Sequence, residues 1–321
     1  MVEVPDRFLD WAAQLQRYRA SGELAAAEAL RDRIEAAGYV VADTPQGAVV
    51  VPASRYATVD PDDVPDRSGQ PDGLEASVLL LLDAHGAAEP EPAWLAGDAA
   101  RCLASVLRHC QGHPYEVAIL DNGVGGAVGD WAADAARGPG IEAIHLAEPV
   151  GFAQARALQQ RAATGRVLLW LDTGVELTAD PLTSLLAAFD DPTVGAAGHW
   201  GANVRADLSG FEAADPPAAG EGPREAHVVW GYLLGLRRQL VAARSVQLDP
   251  AYRSFSNADA DVSLQVRAAG ARTVLVDLPV VQRVHRGVTE VPAAVLEQQW
   301  RDSYRYLLGR WRGLLENLAA G

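Results

Sequence analysis

The chain has 321 residues, 49% of them hydrophobic, enough apolar material for one α/β domain with an appendage. Its formal charge of −15 excludes a protein that wraps nucleic acid, because phosphate contacts need clustered cations, and no nucleic-acid partner is expected. No signal peptide opens the sequence, and no apolar run approaches the roughly 20 residues of a membrane span, so a cytoplasmic location is expected.

Between Val4 and Tyr18 the residues Phe8, Leu9, Trp11, Leu15 and Tyr18 fall on one helical stripe. Ser21 reads as the N-cap of a second helix carrying Leu24, Ala27, Leu30 and Ile34, and Gly38 stands where a C-terminal glycine belongs. Two short extended pieces follow around the turn Thr44-Pro45-Gln46-Gly47. Residues 1–52 are therefore predicted as a helical hairpin appendage. Residues 53–75, rich in Asp and Pro, read as a linker or ordered surface loop that carries the domain boundary.

Residues 76–321 form the main domain. The run Ala76–Leu82 predicts a buried strand ending at Asp83-Ala-His85-Gly86, followed by a helix over about 93–110. Cys102 and Cys110 lie eight apart in that helix, about 12 Å of rise, too far to bridge. Strands at Tyr115–Leu120, ending at Asp121-Asn122-Gly123, and at Ile141–Leu146 alternate with helices near 128–137 and 152–164. The glycine-rich stretch 122–129 lacks the Lys-Ser/Thr of a P-loop and the dinucleotide spacing, and reads as a flexible connection. Five unbroken apolar residues, Val167 to Leu171, then run into Asp172. That is the pattern of a strand buried on both faces. The alternation predicts an α/β fold with a mostly parallel central sheet flanked by helices, and ligands of such sheets bind at the carboxyl ends of the strands. Asp172 is the first candidate functional residue; capping of the following turn is the other reading.

The succession Val117-Ala-Ile-Leu-Asp-Asn-Gly123, Glu148-Pro-Val-Gly-Phe-Ala-Gln-Ala-Arg156 and Val167-Leu-Leu-Trp-Leu-Asp-Thr-Gly-Val-Glu-Leu177 resembles the family 2 glycosyltransferases of the GT-A fold. The likeness continues through Gly231–Arg238, Asp259-Ala-Asp-Val-Ser-Leu264 and Asp277–Gly287, spanning roughly residues 76–310. It implies a GT-A (nucleotide-diphospho-sugar transferase) fold and inverting transfer of a sugar from a nucleotide-sugar donor to an unidentified hydroxyl acceptor. In that pattern Asp121 contacts the nucleoside, Arg156 and Asp172 sit on the donor, and His285 with Asp172 lies on the metal side. Asp259 falls where the family's catalytic base lies, with helix capping as its other reading. Asp261 reads as the cap of a helix over Val262–Ala269.

The resemblance also implies a divalent cation, Mn²⁺ or Mg²⁺, held by an Asp-x-Asp motif. Here Gly174 replaces the second Asp, and Glu176 could substitute only if its loop turned inward. Pro149 and Ala157 replace two family asparagines near the donor. These departures motivate the alternative of a non-catalytic GT-A scaffold that binds a sugar, nucleotide or protein partner. His199, Trp200 and Trp230 lie in the expected acceptor half, with 211–224 as a mobile loop over it.

In the last helix, Trp300, Tyr304, Leu307, Leu308, Trp311, Leu314, Leu315 and Leu318 form one face with arginines mostly around it. Packing across its own domain or a homodimer is expected, with peripheral contact to an anionic membrane as the other reading. The N-terminal piece Ala25–Gly38, with Asp43-Thr-Pro-Gln-Gly47, resembles the C-terminal segment of cysteinyl-tRNA synthetases. It has no basic stripe, and a packing or dimerisation module is the favoured role.

Overall fold

The computed structural model describes residues 4–44, 47–53, 55–84 and 93–320; the turn residues Pro45 and Gln46 and the strand-end residues His85 and Gly86 lie outside the described residues. The chain divides into two compact units, Met1–Arg55 and Tyr56–Gly321.

In the first unit α1 (Asp6–Ser21) and α2 (Leu24–Ala36) pack with a hairpin of β1 (Tyr39–Thr44) and β2 (Gly47–Pro52). Phe8, Ala12, Leu15, Leu30, Ile34, Val41 and Val50 make its core. Ser21 closes α1 instead of capping α2: its hydroxyl donates to the Tyr18 carbonyl and the Glu23 carboxylate, and the chain reverses at Gly22, where φ is 78°. Gly38, at φ 82°, takes the left-handed turn expected after α2. Leu9 and Leu24, counted in the helical stripes, are exposed.

The second unit begins upstream of the first long strand. Val59 bridges Leu146, and the Arg238 guanidinium reaches the carbonyls of Arg67 and Gln70 and the Asp72 carboxylate. The Asp/Pro-rich stretch is thus an ordered surface segment of this unit, and the division falls near its start.

In chain order the unit runs β3 (Leu74–Leu82), α3 (Ala93–His109), β4 (Tyr115–Asp121), α4 (Gly126–Ala135), β5 (Ile141–His145), α5 (Phe152–Ala162), β6 (Gly165–Leu171), β7 (Val175–Leu177) and α6 (Leu182–Ala188). It continues with β8 (Val194–Gly198), β9 (Gly201–Val204), β10 (Phe211–Ala214), β11 (Arg224–Glu225), β12 (Val228–Val229), β13 (Leu233–Arg237) and α7 (Arg238–Ala242). α8 (Ala258–Ala268), β14 (Arg272–Leu275), β15 (Val280–Gln282), α9 (Arg286–Thr289) and α10 (Ala293–Ala319) complete it.

Eight strands form one sheet in the order β11-β14-β8-β13-β6-β3-β4-β5. β6, β3, β4 and β5 are parallel, and β13 runs antiparallel between β6 and β8. β3 shows why its apolar run does not alternate: Leu80 and Leu82 face the core shared with α3, while Leu79 and Leu81 face the core shared with α5. α10 packs on that second core through buried Leu307 and Leu315, with Tyr304, Leu308, Trp311, Leu314 and Leu318 partly buried, while Trp300 of the same face is 46% exposed. Asp261 is not a cap. α8 starts earlier, at Ala258, and the buried Asp261 carboxylate accepts from Trp311 Nε1 of α10 at 2.7 Å and from Gln265 Nε2 at 2.6 Å. Within 211–224 the first four residues are β10, paired with β9.

Candidate active site

Two cavities open where the strands end. The larger, about 870 Å³, lies beyond β6 and brings together Arg156, Asp172, Asp259 and His285 between apolar walls that include Trp170, Trp230 and Phe255. The second, about 770 Å³, lies beyond β3 and β4 and is bordered by Asp83, Asn122, Val150 and Arg253. Phe152 and Phe255 line both. Each volume is of the size that holds a small ligand.

Asp172 is the residue after β6. Its amide donates to the Tyr232 carbonyl at 2.9 Å, its Oδ1 accepts from Gly174 N at 2.8 Å, and its Oδ2 lies 3.6 Å from His285 Nδ1. Tyr232, next to both acids, is pushed up to about 12 by burial and then by the charges of Asp259 and Asp172.

Asp259 stands in the first turn of α8. Its Oδ2 accepts from Gly231 N at 2.7 Å and its Oδ1 from Ala260 N at 2.8 Å. Burial raises its pKa from the ordinary aspartate value, opposed in part by those amides and by His285. A carboxyl group held this way, on a cavity wall, has the raised basicity that suits proton abstraction. The amides also make the capping contact, so both roles meet in one side chain.

Arg156, on α5, is buried. Its Nη1 donates to the Leu79 carbonyl and to Gln159 Oε1, both at 3.0 Å, and the guanidinium lies 5.1 Å from the Trp170 ring centroid. Burial pulls its pKa down to about 10, with Asp172 and Asp83 acting in the opposite direction.

Asp121 differs from the expectation. Its carboxylate is buried under the β4 loop, accepting from Val124 N at 2.9 Å, from Gly125 N at 3.3 Å and lying 3.1 Å from His145 Nδ1, and it borders neither cavity. These contacts hold the loop and β5 in place; its neighbour Asn122 is the residue on the cavity wall. His199 is likewise structural, its Nδ1 accepting from Leu278 N at 3.0 Å, and Trp200 packs edge-on against Tyr232, while Trp230 reaches the larger cavity.

The described residues do not assemble a cation site of their own. A Cβ built on Gly174 would overlap the backbone carbonyl of Val284, so the position of the second Asp is filled by main chain. Glu176 does not turn inward: on β7, opposite Val281 of β15, its carboxylate lies 3.5 Å from Arg101 Nε and 3.4 Å from Arg283 Nη2. His285 sits edge-on to Tyr232 and Phe255, at ring-centroid distances of 4.9 and 4.6 Å, with both nitrogens buried. Among the described residues no three potential ligands cluster.

Sequence reasoning missed Phe152, Phe255, Arg253 and the Gly231 amide. For Arg253 and Phe255 the signal available was position alone, since 253–257 is the loop leading into α8.

The sheet order, the inverted β13 and the cavities at the strand ends define a GT-A fold. Residues 96–231 match the family described as Glycosyl transferase family 2. Among solved structures the chain is similar to the crystal structure of GalNAc-T7 with UDP, GalNAc and Mn²⁺, at 15% identity and a TM-score of 0.53 over 63% of this chain. The chain spans 42% of the length of that protein. No curated protein sequence matches it. The larger unit is therefore glycosyltransferase-like in fold and in sequence. No helix of the described residues is long and apolar enough to cross a membrane.

Proposed function

We propose that the protein transfers a sugar from a nucleotide-sugar donor to a hydroxyl acceptor with inversion. The donor nucleotide occupies the cavity at Asp83 and Asn122, and the acceptor enters the cavity at Asp259. The observation that carries this reading is the pair of adjoining cavities, sharing Phe152 and Phe255, with a buried carboxyl of raised pKa on the wall of one of them. The acceptor O–H gives its proton to Asp259 while its oxygen attacks the anomeric carbon. The C–O bond to the diphosphate breaks from the opposite side, and the nucleoside diphosphate leaves with the bonding pair. Asp172, at the end of β6, orients the donor sugar, and the aromatic walls exclude water from the anomeric carbon.

Calorimetric titration with UDP, GDP and dTDP tests the reading. Saturable binding of one diphosphate, weakened at least tenfold in Asp172→Ala, is expected; a folded protein that binds none of them contradicts it.

The filled position at Gly174 favours a second reading, a scaffold that binds the nucleotide without transfer. Tight binding with no diphosphate release from any matching sugar nucleotide would select it. For the N-terminal unit, which keeps a core of its own, we propose a packing or dimerisation role in place of tRNA contact. Sedimentation of the full chain with and without residues 1–55 checks the first, and a low-salt gel shift with tRNA checks the second. Cytoplasmic residence fits a nucleotide-sugar substrate, and fractionation of cells tests it against peripheral membrane attachment.

A further inference from the structure

We propose that this site binds its nucleoside diphosphate without a divalent cation, and that Arg253 supplies the positive charge the diphosphate requires. The inference rests on the transferase reading above and adds how the leaving group is held.

It starts from the closed metal position. The main chain of Val284 fills the space beside Gly174, and Glu176 is held by Arg101 and Arg283, so of the loop's acid positions only Asp172 stands on a cavity wall. The donor cavity is also lined by the carboxylate of Asp83, and by Asp302, whose charge is paired with Arg305. A diphosphate entering it meets repulsion unless a cation of the chain stands close by.

Among the described residues four arginines border the two cavities; three line the larger one, each with a partner within the chain, and Arg253 lines the donor cavity. Arg156 is buried against the Leu79 carbonyl and Gln159; Arg301 holds Glu297 at 2.5 Å; Arg305 holds Asp302 at 3.1 Å. Arg253 is exposed, and among the described residues no carboxylate pairs with it. Its backbone is nonetheless fixed. The Arg253 carbonyl accepts from Phe152 N at 3.0 Å, and a Cβ built on Gly151 would lie 3.3 Å from the Arg253 Cα. The loop is thus anchored on the start of α5, two residues before Phe255, which with Phe152 lines both cavities. A planar guanidinium there can donate to two phosphate oxygens in a fixed parallel fork.

The test is calorimetry of the full chain with UDP, GDP and dTDP, each in EDTA and in Mn²⁺, on wild type, Arg253→Ala and Arg253→Lys, with the parent nucleosides as controls. For the diphosphate that binds, the dissociation constant is expected to agree within about twofold between EDTA and Mn²⁺. Arg253→Ala is expected to weaken it about tenfold or more, as loss of a charge-assisted contact does, with Arg253→Lys recovering part. The nucleoside is expected to bind all three proteins alike. Binding that vanishes in EDTA and returns with Mn²⁺ overturns the inference and leaves the transferase reading standing, as does an Arg253→Ala variant with wild-type affinity. Absence of binding by every diphosphate under both conditions overturns the reading and the inference together.

Discussion

Asp259→Asn separates the two roles that meet in that side chain. If Asp259 takes the acceptor proton, the isosteric amide removes the base and slows diphosphate release about 10²–10⁴-fold, a barrier increase of about 3–5 kcal/mol. Stability is expected to move the other way. Burial raises the pKa of Asp259 in the folded protein, so its contribution to stability is fully present below the unfolded carboxyl pKa and is lost as pH rises through the folded value. At neutral pH the wild type carries the cost of a buried carboxylate. Asparagine carries no charge and keeps an acceptor oxygen for one of the two amides, Gly231 N or Ala260 N. The variant should therefore unfold at the same urea concentration as wild type or a higher one at pH 8, with the advantage disappearing toward pH 4. A pure capping role predicts the reverse, a stability loss of about 0.5–2 kcal/mol with little change in rate. Turnover within about threefold of wild type, or clear destabilisation at pH 8, would contradict a base role for Asp259.

Other consequences are as direct. Gly174→Asp does not rebuild a metal motif: the side chain must displace the Val284 main chain, and urea unfolding should show a loss of about 1–3 kcal/mol or more with no gain in Mn²⁺ affinity. At the opposite end of the sheet, His113 lies 2.9 Å from Glu75 and 3.2 Å from Asp180, and hydrogen bonding to Glu75 raises its pKa. Protonated His113 then contributes stability that is fully present below about pH 6.5 and is lost as pH rises through its folded pKa, a slope that His113→Gln should flatten in unfolding curves from pH 6 to 8.5. Burial pushes the Cys110 thiol up to about 12 and the Cys102 thiol well above its ordinary value. Iodoacetamide at pH 8 should leave both unmodified in the folded protein and alkylate both in urea.

Unbroken apolar runs made the parallel strands legible, because β3 and β6 are covered on both faces and no position needs to be polar. The short antiparallel pieces β9 to β12 are two to four residues long and carry too little pattern to read. At the site, Asp172 stands where an unbroken run ends, on a cavity wall as a strand-end acid should. Asp121 ends an equally good run yet turns under its own loop, and Asn122 faces the cavity. Sequence cannot choose between adjacent polar residues, since the choice depends on which way the chain leaves the sheet. That Gly174 departs from the motif is visible in one residue. That the gap is filled by the Val284 carbonyl depends on β7 pairing with β15, a contact between distant parts of the chain. Arg253 belongs to no motif; its place on the donor cavity, its lack of a carboxylate partner among the described residues and its anchoring to α5 appear only in the fold.

The central claim is that the cavity beyond β3 and β4 takes the donor nucleotide and the one beyond β6 takes the acceptor. A crystal structure of the full chain with the diphosphate that binds tightest tests it most directly. The base is expected against Asn122 and Asp83, the phosphates beside Arg253 and the terminal phosphate directed toward Asp172. A nucleotide lying against Asp259, or on the surface away from both cavities, would contradict it.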